Sequence, residues 1–169
     1  SGTYQAIDLL LAELADAYPD RTVLSVDTLA ASLGEGLLVW YAAKMREEGK
    51  GIQEVCDWLE ANKLHLAHWF TVDDLNHLKR GGRVSGAAAF FGTMLNIKPV
   101  LHVDDAGHLI PMEKVRGRKA SLDALVAHME KDAVDPASQT VYISHGDCRA
   151  DAEYVADLVR EKFGTQDIR

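Results

Sequence analysis

What this sequence is short of narrows the field first. Only 2 of its 169 residues are cysteine, Cys56 and Cys148, far apart and outside any CxxC pair. That excludes a disulfide framework as the default and predicts two unpaired thiols. Positive charge is scarce: 18 Lys and Arg against 26 Asp and Glu leave a formal net charge of -8, so the surface as a whole repels a nucleic-acid backbone. No apolar run reaches the roughly 18 residues of a membrane span, and no signal peptide opens the chain, so a cytoplasmic location is expected. Catalytic signatures are missing too. There is no GxSxG elbow and no Walker lysine, and Gly34-Glu35-Gly36 lacks the third glycine and strand-to-helix framing of a dinucleotide fingerprint. His65 and His68 fall at the start of an expected strand, where positions three apart face opposite ways, and no third ligand stands at a metal-site spacing. No metal or cofactor is expected. Asp73-Asp74, Asp104-Asp105 and Asp147 lie at turns, where aspartate is common for local reasons.

What is there describes a folded domain. Hydrophobic residues make up 47% and charged residues 26% of the chain, enough for a core. Ser1 stands in place of Met, and a helix cap with nothing upstream predicts a processed or truncated chain. Helical spacing covers Tyr4 to Tyr18, ended by Pro19-Asp20, then Thr28 to Glu48, stopped by Gly49-Lys50-Gly51, then Ile52 to Lys63. Thr22 to Val26 and Leu66 to Val72 read as strands, and Leu75 to Lys79 as a short helix. The character changes at Arg80-Gly81-Gly82-Arg83, followed by an apolar stretch from Gly86 to Leu95 that reads as helix. Strands Pro99 to Val103 and His108 to Val115 flank Asp104-Asp105-Ala106-Gly107, a hairpin turn by composition. A helix from Ser121 to Lys131, a strand from Thr140 to Ser144 and a helix from Arg149 to Phe163 complete the reading. The alternation predicts an α/β fold with an added β-hairpin and a boundary near residue 80, giving domains 1–80 and 81–169.

Four segments carry the chemistry. Ser1, Gly2 and Thr3 open a helix, where hydroxyls and free N–H groups either cap the helix or converge on an anion. In Lys79-Arg80-Gly81-Gly82-Arg83 two glycines allow a tight turn, which is either a solvated basic turn or a way to bring Arg83 to an anionic group. Ala87 to Leu95, with Ile97 and Leu101, pairs small residues that leave room with large ones that bound it, as either core or the wall of an apolar tunnel. Lys114 to Lys119 places Lys114, Arg116, Arg118 and Lys119 around Gly117, as a solvated face or a docking patch. His145-Gly146-Asp147 follows a strand and reads as a strand-end turn. An enzyme of the hydrolase or phosphotransfer class using Ser1 or His145 is the alternative, though no nucleophile–base pair can be placed.

Several segments together resemble the DegV family: Ser1-Gly2-Thr3-Tyr4-Gln5-Ala6, Ala31 to Val39, Thr71 to Leu75, Leu78 to Ser85, Leu95 to Leu101, Glu113 to Lys119 and His145-Gly146-Asp147. Their order and spacing carry the resemblance over nearly the whole chain. It implies a two-domain DegV-like (EDD) architecture: part of a first α/β domain, then most of a second with the hairpin and lipid tunnel. The family's N-terminal strands and its C-terminal His-Thr-Gly-Pro-Gly-like segment have no counterpart here. The implied role is that of a bacterial, cytoplasmic fatty-acid-binding protein, not an enzyme. It would hold a long-chain fatty acid such as palmitate, stearate or oleate and present it to a fatty acid kinase. Burial at about 0.8 kcal/mol per methylene gives a tail of about 16 carbons on the order of 11 kcal/mol before association costs, so the tail dominates affinity. The resemblance places the carboxylate near Ser1, Gly2, Thr3 and Arg83, and the tail along Ala87, Ala88, Phe90, Phe91, Met94, Leu95 and Ile97. It assigns Arg116 and Arg118 to kinase docking.

Overall fold

The computed structural model describes residues 2–84 and 96–169, in two compact units, Ser1–Leu66 and Ala67–Arg169. The first unit is helical: α1 is Gly2–Ala17, α2 Ser32–Glu47 and α3 Ile52–Asn62. No residue of α1 is buried. The β-branched run at 22–26 is irregular rather than a strand, with Val23 and Leu24 exposed. A strand exists only when a neighbour takes up its hydrogen bonds, and the ladders among the described residues all lie in the other unit. α2 starts later than its periodicity predicts. The carboxylate of Asp27 accepts from the Leu29 N–H at 3.3 Å in a local turn, and Leu29 and then Ser32, the first residue of α2, take φ 52°, in the left-handed region, so residues 28–31 are not helical. At the other end Gly49 takes φ 85°, the left-handed conformation that glycine adopts without a Cβ penalty. α3 then begins with the Glu54 carboxylate accepting the Gly51 N–H at 2.9 Å, half of a capping box. α2 and α3 pack through Tyr41 and Trp58, whose ring centres lie 5.1 Å apart.

The second unit is built on a three-stranded antiparallel sheet in the order β1 (Trp69–Thr71), β2 (Ile97–Val103), β3 (Leu109–Arg116). The hairpin predicted between β2 and β3 forms as read. Asp104 accepts the N–H groups of Ala106 and His108 at 3.0 and 2.8 Å, and Gly107 takes φ 77°. Register runs from Ile97 opposite Arg116 to Val103 opposite Leu109, with an irregularity at Val100/Leu101 that leaves Met112 between two paired residues. β1 pairs with β2, Thr71 opposite Val100. Residues 67–80 lie in the second unit, where β1 has its hydrogen-bond partner.

The sheet is covered on both faces. On one, α4 (Leu75–Arg80) brings Leu75 onto fully buried Leu101 and Val84, with Phe70, Val72, Leu78 and Leu109 around them. Asp74 caps α4 by accepting the Asn76 N–H at 2.8 Å. On the other face lies α5 (Arg118–Asp132). His128 stacks on Trp69 with centres 3.6 Å apart and planes 7° from parallel, and its Nε2 lies 2.9 Å from Glu113 Oε1. The Trp69 indole N–H donates to Asp132 at 2.7 Å. α6 (Arg149–Phe163) has the limits its periodicity predicts, and packs on α5 through Leu122, Val126, Val155 and Val159. The strand expected at 140–144 reduces to one parallel bridge, Val141 with Ile168, so its β-branched residues serve as packing against α5 and α6.

Candidate functional site

The proposed head-group residues fall on different units. Gly2 and Thr3 stand exposed in the first turn of α1, where four backbone N–H groups have no intrahelical partner; Ser1 lies outside the described residues. Arg83 lies in the second unit, in the turn after α4. Gly82 takes φ 67°, the Arg83 N–H donates to Leu78 O at 3.0 Å, and its guanidinium Nη1 donates back to Gly81 O at 2.5 Å. The glycine pair thus folds the loop on itself, while the next residue, Val84, enters the core. Arg83 is exposed where the chain turns inward.

Of the acyl-tunnel residues, Ala87, Ala88, Phe90, Phe91, Met94 and Leu95, with the helix expected from 86 to 95, lie outside the described residues. Ile97 is described. It is half-buried at the start of β2 and faces Arg116 across the hairpin. Arg116 is exposed at the end of β3, so an apolar position and a cation are neighbours at one end of the sheet.

Arg118, assigned with Arg116 to docking, has a different setting. It opens α5 just after Gly117, whose φ of 90° turns the chain and whose N–H donates to Asn96 O at 2.8 Å. Its Nε donates to Asp151 Oδ2 in α6 at 2.7 Å, and Nη2 lies 3.8 Å from Cys148 Sγ at the start of that helix. Nη1 is buried without a hydrogen-bond partner among the described residues. Partial burial opposes the charge, and the hydrogen bond and charge of Asp151, helped by Asp73, outweigh it, so the guanidinium pKa moves up. Asp73 lies 2.7 Å from Lys98 Nζ at the start of β2, and that lysine side chain is only 17% exposed. The Lys98 hydrogen bond holds the Asp73 carboxyl below the ordinary aspartate range; burial opposes it, and the charges of Lys98 and Arg118 add to it. The charges thus alternate, Lys98, Asp73, Arg118, Asp151, from the sheet to α6.

The sequence pattern places Asp73 at a turn, Lys98 just before a strand and Asp151 in a helix, and marks none of them as a site residue. Asp73 stood in a motif, but its partner lies across the sheet, and Asp151 is 33 residues from Arg118. His145 is exposed, and its Nδ1 accepts the Cys148 N–H at 3.2 Å, the role of a turn residue. His68 is half-buried; burial first, then His102, lowers its pKa. Among the described residues no group of three or more His, Cys, Asp or Glu is placed to hold a metal ion, and no helix is long and apolar enough to cross a membrane.

The family model described as "Uncharacterised protein, DegV family" matches residues 1–169. The chain belongs to the DegV family. A DegV domain-containing protein of Clostridium perfringens is 51% identical over 168 residues, covering 99% of this chain. The chain spans 58% of that relative's length. Among solved structures, a DegV family protein from Eubacterium eligens loaded with heptadecanoic acid is similar, with TM-score 0.90 and 25% identity, over 100% of this chain and 60% of that one. A fatty acid binding DegV family protein from Streptococcus agalactiae has TM-score 0.80 and 29% identity, over 99% of this chain and 58% of that one. The mixed α/β arrangement is that of part of a DegV protein.

Proposed function

We propose that this DegV chain is part of a cytoplasmic carrier that binds one long-chain fatty acid and presents its carboxylate to a fatty acid kinase, contributing no catalytic group of its own. The observation that carries the reading is family membership over residues 1–169, joined to fatty-acid-bound and fatty-acid-binding structural neighbours at 25% and 29% identity. In this reading Ser1, Gly2, Thr3 and Arg83 serve the carboxylate. Hydroxyls and helix-start N–H groups suit a carboxylate, and a guanidinium pairs with it in a planar fork. Ala87, Ala88, Phe90, Phe91, Met94, Leu95 and Ile97 serve the tail, and Arg116 with Arg118 serve kinase docking. The turn role of His145 favours a carrier over a hydrolase.

The test is native mass spectrometry of the purified chain, followed by solvent extraction and lipid identification. A stoichiometric acyl chain of defined length is the expected result. A chain that arrives empty, and takes up no added palmitate, stearate or oleate, overturns the reading for this chain.

A further inference from the structure

The sequence treats Arg116 and Arg118 alike, and their surroundings divide them. Arg116 is exposed at the end of β3, its backbone paired with Ile97. Arg118, two residues on, is turned inward and held by α6. Four bonds meet around it. Asp151 takes its Nε, Cys148 lies beside its Nη2, its own carbonyl accepts the hydroxyl of fully buried Ser121 at 2.7 Å, and the preceding Gly117 N–H bonds Asn96 at the entrance to β2. Gly117 turns the chain at this corner with φ 90°, which glycine adopts freely, so the contacts around it and not the residue's own preference select this geometry.

We infer that Arg118 is a positioning residue: through Asp151 and the start of α6 it fixes the β3–α5 corner, and so fixes where Arg116 is presented to a partner. A guanidinium suits this task, since its planar fork can hold a carboxylate and a second group at once. In this arrangement Arg118 donates no hydrogen bond to the partner. The docking half of the inference rests on the carrier reading above; the corner half does not.

Asp151→Asn separates positioning from direct docking by sign. If Arg118 positions the corner, Asp151→Asn and Arg118→Ala each weaken kinase binding about fivefold or more, and the double variant is little worse than either, because both break one interaction. If Arg118 docks directly, Asp151→Asn frees its guanidinium, and binding holds or tightens; that result overturns the proposal. Amide exchange reads the corner with no partner present. Segments 117–121 and 148–152 are expected to exchange faster in both variants, and Arg118→Lys is expected to restore part of the protection. Unchanged exchange in both variants also overturns the proposal. A parent chain that fails to bind the kinase counts against the carrier reading, and exchange then decides the role of Arg118. Asp151→Asn, a near-isosteric change, keeps the test valid if Arg118→Ala does not fold.

Discussion

At the scale of single residues, the second unit holds two kinds of cation, and their variants separate. Arg83 is exposed and bonded only to its own turn among the described residues, so Arg83→Ala is expected to move unfolding stability by no more than about 0.5 kcal/mol. The same variant is expected to lower fatty-acid retention or transfer to the kinase, read by extraction and by acyl-phosphate formation; unchanged retention and transfer would remove Arg83 from the site. Lys98 is the opposite case, a nearly covered ammonium bonded to Asp73. Because the Asp73 pKa is lower folded than unfolded, the pair stabilises the fold above the ordinary aspartate value of about 3.9, and that contribution is lost as pH falls through the folded value. Lys98→Met is therefore expected to flatten the loss of stability between near-neutral pH and about pH 3, measured by urea midpoints. A variant that loses stability with acid as steeply as the parent would show that the pair does not set this slope. These residues also mark how far the sequence could be read. Arg83 stood out because two glycines precede it, a local signal. Lys98 with Asp73, and Arg118 with Asp151, meet only after the sheet and helices have formed, and no spacing announces them.

At the scale of elements, the signals that were local and self-sufficient held. α6 runs from Arg149 to Phe163 as its apolar spacing predicts, and the β2–β3 turn follows from Asp104 and Gly107. A helix satisfies its own backbone, and a tight hairpin satisfies most of its turn, so neither waits on distant chain. The two failures were both short β-branched runs, 22–26 and 140–144, which have a strand's composition but depend on a neighbour for a ladder. The late start of α2 has a local cause too, since Leu29 takes φ 52°, outside the right-handed region, and interrupts the predicted helix. Packing between α5 and α6 gives the sharpest test at this scale. Leu122 is buried among Val126, Val155 and Val159, so Leu122→Ala is expected to cost about 2–4 kcal/mol in denaturant unfolding of the second unit. A loss under about 1 kcal/mol would mean that the two helices close over the gap.

At the scale of the whole molecule, the apolar residues are unevenly used. α1 leaves Ile7, Leu9, Leu10 and Leu14 exposed, Leu9 at 78%, and Val23 and Leu24 follow in the same unit. A helix of 16 residues gains little from propensity alone and owes its stability in proteins to a buried face. The chain in isolation is therefore expected to bind a hydrophobic dye and to show rapid amide exchange over residues 4–17, with Leu9→Lys and Leu10→Lys together lowering the dye signal. Slow exchange there in the monomeric chain would show that the helix is held by something other than an apolar contact. This feature was legible as amphipathic spacing, but spacing gives the direction of a face and not what covers it.

The contact between Trp69 and His128 gives the two units separate optical reporters. Trp40 and Trp58 belong to the first unit, and Trp69 alone to the second. Its indole lies flat against an imidazole at 3.6 Å, a contact close enough to quench its emission. With Trp40 and Trp58 replaced by phenylalanine, the remaining light would come from the seam between α5 and the sheet. Brightening would then time the moment at which that helix lifts away.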